Sequence, residues 1–156
     1  MGDYTEKLNT LLSELGTSTQ SVIQIEEAAP NLWLIALDNF DSAIALRLDS
    51  ETGTITFSCE LGRPREEVRA LVYETLLTYN ALAELHGGVR MGLREPGGSV
   101  IQEFDIALSR LDLFLMRHVL EDFSNKAAAW EDIIESSEPA EVQTKLTETG
   151  WAGLRV

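Results

Sequence analysis

A chain of 156 residues, 44% apolar and 24% charged, has the composition of one globular domain and needs no disulfide or metal to hold its core. Its 26 acidic against 12 basic residues give a formal net charge of −14. That charge argues against nucleic acid and anionic membranes as partners; a basic or disordered polypeptide fits it, and solubility alone is the plainer reading.

The single cysteine, Cys59, rules out an intramolecular disulfide and suits a reducing compartment. Its place in the alternation Ile55, Phe57, Cys59, Leu61 predicts a small buried hydrophobe rather than a nucleophile. No apolar run approaches the roughly eighteen residues of a membrane span. The start, MGDYTEKL, has neither the basic nor the apolar region of a signal peptide, so a cytoplasmic protein is expected.

The first predicted element is a helix over Tyr4–Leu15. Asp3 and Glu6 stand at capping-box spacing, Tyr4, Leu8, Leu11, Leu12 and Leu15 form one stripe, and Gly16 is expected to end it. Four strands follow: Ser21–Glu26, Leu32–Leu37, Ala43–Asp49 and Thr54–Leu61. The turns between them are too short for parallel crossovers, so the strands form an antiparallel meander.

Pro64, with Glu66 and Glu67 behind it, opens a helix to about Leu85, and Gly87-Gly88 closes it. A hairpin runs through Val89, Met91 and Leu93, turns at Glu95-Pro96-Gly97-Gly98 and returns through Val100–Ile106. Ser109 can cap a final long helix to about Glu135, with Leu115, Met116, Val119, Leu120, Phe123, Ala127, Trp130, Ile133 and Ile134 on its apolar face. The predicted fold is α+β, an antiparallel sheet with three main helices in the order α-β-β-β-β-α-β-β-α. Residues 1–138 are read as one domain. Residues 139–156 are read as a polar tail or a short extra helix carrying Val142 and Leu146, with Trp151 and Leu154 loosely docked.

The middle helix carries two stripes. Val68, Leu71, Val72, Leu76, Tyr79, Leu82 and Ala83 can face the sheet, while Tyr73, Leu77, Ala81 and Leu85 recur every fourth residue on the other side. A helix apolar on two sides must be covered on two sides. Either the last helix covers the second stripe or a second copy does, through Tyr73, Leu77 and Ala81 with the strand at Val89 and Met91; a homodimer is expected.

Signs of catalysis are missing. No glycine-rich run precedes Lys-Ser or Lys-Thr, and Gly87-Gly88 leads into a strand rather than a helix. His86 sits at a helix end, where the dipole is reason enough for it, and His118 with Asp122 reads as a solvated pair. Two isolated histidines and one buried cysteine do not make a zinc site. Glu103 and Asp105 share the polar face of a strand. No enzyme, cofactor or metal is expected.

Four stretches together resemble the class I chaperones of bacterial type III secretion, the Tir chaperone (CesT-like) family. They are an amphipathic first helix ending in Leu15-Gly16; a meander ending in Cys59-Glu60-Leu61-Gly62; a helix with Leu76-Leu77-Thr78-Tyr79-Asn80, followed by Gly87-Gly88-Val89-Arg90-Met91-Gly92-Leu93 and the Pro-Gly-Gly hairpin; and the last helix with Leu111, Leu115, Phe123, Ala127 and Trp130.

The resemblance implies a homodimeric bacterial cytoplasmic chaperone that does not hydrolyse ATP. It would hold the N-terminal segment of a secreted effector in a non-globular, export-competent form, with a secretion ATPase or sorting platform as a further class of partner. A regulatory or sensory protein-binding domain of the same fold is the alternative. Extended cargo would add backbone to a sheet edge and seat apolar anchors in grooves. A groove between the first helix and the sheet, lined by Leu11, Leu15, Ile23, Ile25, Trp33 and Ile44, is the predicted cargo site; ordinary core is the other reading of those residues.

Overall fold

The structure is a computed structural model that describes residues 2–149. The sequence order of elements is as predicted, with one helix added at the end. It runs α1 (Gly2–Ser18), β1 (Val22–Ala29), β2 (Leu32–Leu37), β3 (Phe40–Asp49), β4 (Thr54–Gly62), α2 (Glu66–Ala81), β5 (Arg90–Leu93), β6 (Val100–Ala107), α3 (Leu113–Ile134) and α4 (Pro139–Glu148). The six strands form one sheet, ordered β1-β2-β3-β4-β6-β5. Trp151 and Leu154 lie outside the described residues.

The chain divides into two compact units, Met1–Cys59 with Phe104–Ser124 and Glu60–Glu103 with Asn125–Val156. In the first, period-two alternation sets the packing. Trp33 lies opposite Leu46 and Ile35 opposite Ile44, while Leu46 pairs with Phe57 and Leu48 with Ile55. All seven of these side chains are buried, as are Leu8, Leu11, Leu12 and Leu15 of α1. The ring of Phe57 stands 6.1 Å from Phe123 on α3 and 6.2 Å from Phe104. The alternate positions Leu32, Leu34, Ala36 and Ala45 are only half-buried.

Turn chemistry joins these strands. Asn31 takes a left-handed φ of 61° between β1 and β2, and its carbonyl accepts from Leu48 N–H at 2.9 Å. Between β3 and β4 the Asp49 carboxylate accepts from the N–H groups of Glu51 and Thr52, which hold its pKa below the usual carboxylate value. Gly53 follows with φ 71°, and a Cβ there would stand 2.8 Å from the Tyr4 ring, so only glycine fits.

Several element ends differ from the sequence reading: α1 already starts at Gly2, so Asp3 lies inside it, β1 runs on to Ala29, β3 starts at Phe40, and α2 starts at Glu66. The first helix runs through Gly16 to Ser18, because glycine permits a left-handed stop without imposing one. The last long helix starts at Leu113 rather than after Ser109. Residues Leu108–Arg110 form a 3₁₀ turn, and the Asp112 carboxylate accepts from Leu115 N–H at 2.8 Å. Asp112 is therefore the N-cap, satisfying a donor that the helix itself leaves open.

In the second unit, Val68, Val72, Leu76 and Tyr79 of α2 are buried together with Ala127, Trp130, Ile133 and Ile134. The α-helix stops at Ala81 and tightens into a 3₁₀ turn, Ala83–His86, closed by Gly87 at φ 73°. Helix α4 packs on α2 and buries Val142 and Leu146. At its start the Glu141 carboxylate accepts from both the N–H and the hydroxyl of Ser137, which lowers its pKa.

Replacing Asp112 with Ala removes the cap of α3 and should destabilise the protein by about 1 kcal/mol. Chemical denaturation should show a lower midpoint with an unchanged slope.

Candidate functional site

Two surfaces carry the residues singled out by sequence. The first lies in the second unit, where Tyr73, Leu76, Leu77, Asn80, Met91, Gly92 and Leu93 line a cleft of about 190 Å³. Of the predicted dimer residues, Tyr73, Leu77 and Met91 meet there. Ala81 is exposed at the end of α2 and outside the lining, whereas Val89 is buried just before β5. The second stripe of α2 is open in this chain, with Leu77 70% and Leu85 80% exposed. Leu93, in the strand expected to help the dimer, is 37% exposed and lines the same cleft.

Asn80 is the residue whose role sequence reasoning missed. Its side-chain amide donates to the Met91 carbonyl at 2.8 Å and accepts from the Met91 N–H at 2.8 Å. The only hint is an asparagine at the end of an apolar helix, and its partner lies eleven residues downstream.

The second surface lies in the first unit. Of the six residues predicted to line a cargo groove, Leu15 and Ile44 are fully buried, and Leu11 and Trp33 nearly so. The ordinary-core reading therefore holds for these four. They close the α1 side of the sheet instead of leaving a slot in it. Ile25 is half-buried, and Ile23 is 66% exposed. Both stand on β1, a terminal strand of the sheet whose remaining positions from Gln24 to Ala29 are all exposed.

A crevice of about 320 Å³ lies beside Thr19, Ser21, Asn39, Arg117, Leu120 and Ser124. Arg117 donates to the Thr19 hydroxyl at 2.8 Å and to the Ser18 carbonyl at 3.0 Å, so its first task is to close the C-terminal end of α1.

Among the described residues no three His, Cys, Asp or Glu side chains converge as metal ligands. Cys59 is buried and forms no disulfide. No helix among them is long and apolar enough to cross a membrane. His118 and Asp122 are exposed. His86 stacks on Tyr79 at 4.1 Å between ring centroids, and Tyr79 meets Trp130 edge-on at 5.1 Å. The Lys126 ammonium donates to the His86 carbonyl at 3.0 Å. Burial, and secondarily that neighbouring cation, holds the His86 pKa below 6.5.

Residues 10–131 match the Tir chaperone protein (CesT) family, more than three quarters of the chain. The chain belongs to that family. A comparison with curated proteins finds no match. Solved structures agree on the fold of this CesT-family chain. A chain of the ExsC–ExsE complex aligns with TM-score 0.71 at 16% identity, covering 86% of this chain and 98% of that one. A chain of the HopA1–SchA chaperone–effector complex aligns at 0.65 and 17% identity, with 80% and 93% covered. The Yersinia pestis type III secretion chaperone SycH, in complex with a stable fragment of YscM2, aligns at 0.59 and 17% identity, with 81% and 98% covered. At these identities the likeness establishes the α+β fold with its antiparallel sheet.

The lowered His86 pKa makes stability depend on pH. The unfolded chain takes up the histidine proton before the folded one does, so the contribution is complete above about pH 6.5 and is lost as pH falls through the folded value. The thermal midpoint should drop more between about pH 7 and about pH 5 than it does in His86→Phe, which keeps an aromatic ring against Tyr79.

Proposed function

We propose that this chain is a type III secretion chaperone that binds the N-terminal segment of an effector as a homodimer and keeps it non-globular and export-competent. The family match over residues 10–131 carries the reading. The structures of similar fold include one described as a chaperone–effector complex and one described as a type III secretion chaperone. Such a protein works in the bacterial cytoplasm by binding alone, without catalysis.

The physical chemistry of the two surfaces supports this division of labour. Leu77 and Leu93 are exposed apolar side chains that line one cleft, and Leu85 is exposed in the turn after α2. Burying one leucine fully contributes about 1.5–3 kcal/mol, so a second copy seated there gains most from Leu77. Two-fold symmetry would place each Leu77 against the other copy's cleft.

Strand β1 suits extended cargo. Its eight residues contain no lysine and no proline, two of the common devices that protect a sheet edge. Ile23 and Ile25 offer apolar surface to an anchor. Between Lys7 and Arg47 the sequence has no Lys, Arg or His, while Glu14, Glu26, Glu27, Asp38 and Asp41 fall in that span. The strand that adds to β1 is therefore expected to carry positive charge. Backbone pairing supplies affinity and these side chains supply selectivity.

Sedimentation at micromolar concentration should give twice the chain mass, with at least about 1,200 Å² buried in total. Leu77→Glu should yield a folded monomer; a wild-type monomer would sink the dimer. For cargo, the chain should be co-expressed with the effector encoded beside it, and protease protection of the effector's N-terminal segment measured. Ile23→Asp should leave the thermal midpoint within the roughly 0.5 kcal/mol equivalent of a surface change and yet weaken that protection. Ile44→Ala should instead cost about 2–5 kcal/mol of stability, as core residues do. Full protection by Ile23→Asp would remove β1 from the cargo site.

A further inference from the structure

Strand β5 ends the sheet, with β6 as its one neighbour through Arg90–Glu103, Met91–Gln102, Gly92–Ile101 and Leu93–Val100. In an antiparallel strand the N–H and C=O of one residue point to the same side, and successive residues alternate sides. Outward groups on a terminal strand form a template for any other strand. At Met91 the template is taken. The Asn80 side chain supplies an acceptor and a donor, both at 2.8 Å, where the peptide group of an incoming strand would stand. Helix α2, which carries Asn80, packs along β5.

We infer that Asn80 is an edge latch, a positioning residue that closes β5 to strands of other chains. It confines any second copy to side-chain packing in the cleft of Tyr73, Leu77 and Leu93, and it leaves β1 as the edge that accepts a strand. The second part rests on the proposed chaperone reading; the closure of β5 does not.

The chemistry explains why the residue is asparagine. A primary amide is the one short side chain that presents both a donor and an acceptor in a plane, as a peptide does. Aspartate would keep the Met91 N–H bonded but leave the carbonyl unpaired. Leucine would free both, next to two exposed leucines. A short apolar edge with open backbone groups is the setting in which strands of separate copies pair.

The test compares wild type, Asn80→Asp and Asn80→Leu, with amide exchange followed residue by residue and mass followed by sedimentation. Exchange is read in the monomeric Leu77→Glu background so that association does not mask the amide. In Asn80→Leu the Met91 amide should exchange at least about tenfold faster, the equivalent of one lost hydrogen bond, while amides of β6 stay slow. In Asn80→Asp it should stay protected. In the Leu77 background of the natural sequence, Asn80→Leu should associate beyond the dimer, with backbone contacts between Met91 residues of different copies in a mixed-label sample. Unchanged Met91 exchange in Asn80→Leu, a uniform acceleration of every amide, or Met91–Met91 backbone contacts in wild type would each overturn the latch. A monomeric wild type with a selectively accelerated Met91 amide would instead keep the latch and remove the dimer.

Discussion

Everything in the first unit depends on a sheet that can be dry on one face only. Alternation along β2, β3 and β4 sends Trp33, Ile35, Ile44, Leu46, Leu48, Ile55 and Phe57 to one side, where all are buried. A one-residue slip in any of these strands would turn its whole apolar set to the other face. The register is therefore held by burial, and α1 has to follow it. Leu8, Leu11, Leu12 and Leu15 lie within one helical stripe because that is the width a sheet face can cover. What remains for partners is what this packing cannot use: the rim at β1, and the half-buried row of Leu32, Leu34, Ala36 and Ala45.

The same constraint explains which parts were legible beforehand. An uninterrupted apolar run identified β2 with the bounds the structure shows, although such a run predicts a strand buried on both faces and one face is only half-buried. The two stripes of the α2 region separated into a buried side at Val72 and Leu76 and an open one at Leu77 and Leu85. Periodicity reports which residues share a face. It does not report what lies across from that face. For that reason Leu11, Leu15, Trp33 and Ile44 could be read as groove or as core, and only the structure, which places them inside, decides. Ile23 stands apart because the β1–β2 pairing shifts register between Val22 and Gln24. Such a bulge leaves no periodic trace in a strand this short.

Contacts distant in sequence were the least readable. Asn80 bonds a backbone eleven residues away, and Arg117 reaches Ser18 and Thr19 across almost a hundred. Either side chain looks like a solvated polar residue on a helix until the fold brings its partner near. The start of α3 failed for a local reason. Ser109 and Asp112 are both good caps, and the choice between them falls to the 3₁₀ turn at Leu108–Arg110, whose Leu108 N–H is held by the Gly53 carbonyl at 2.8 Å.

Charge and edge protection then act together. Proteins commonly guard a terminal strand with lysine, proline, a covering helix or a side chain. Here the two terminal strands are treated differently. β5 has α2 beside it and the Asn80 amide on its backbone, which leaves apolar side chains as the means of contact. β1 carries Glu26 and Glu27 and no cation, so its repulsion is selective by sign. Another copy of this acidic chain is repelled from β1 by the same charges that attract a basic segment. On the proposed reading β1 receives a partner's strand, and such an edge must not pair with itself. Carboxylates achieve that without closing the edge, whereas a proline or a bulky cover would close it to partner and copy alike.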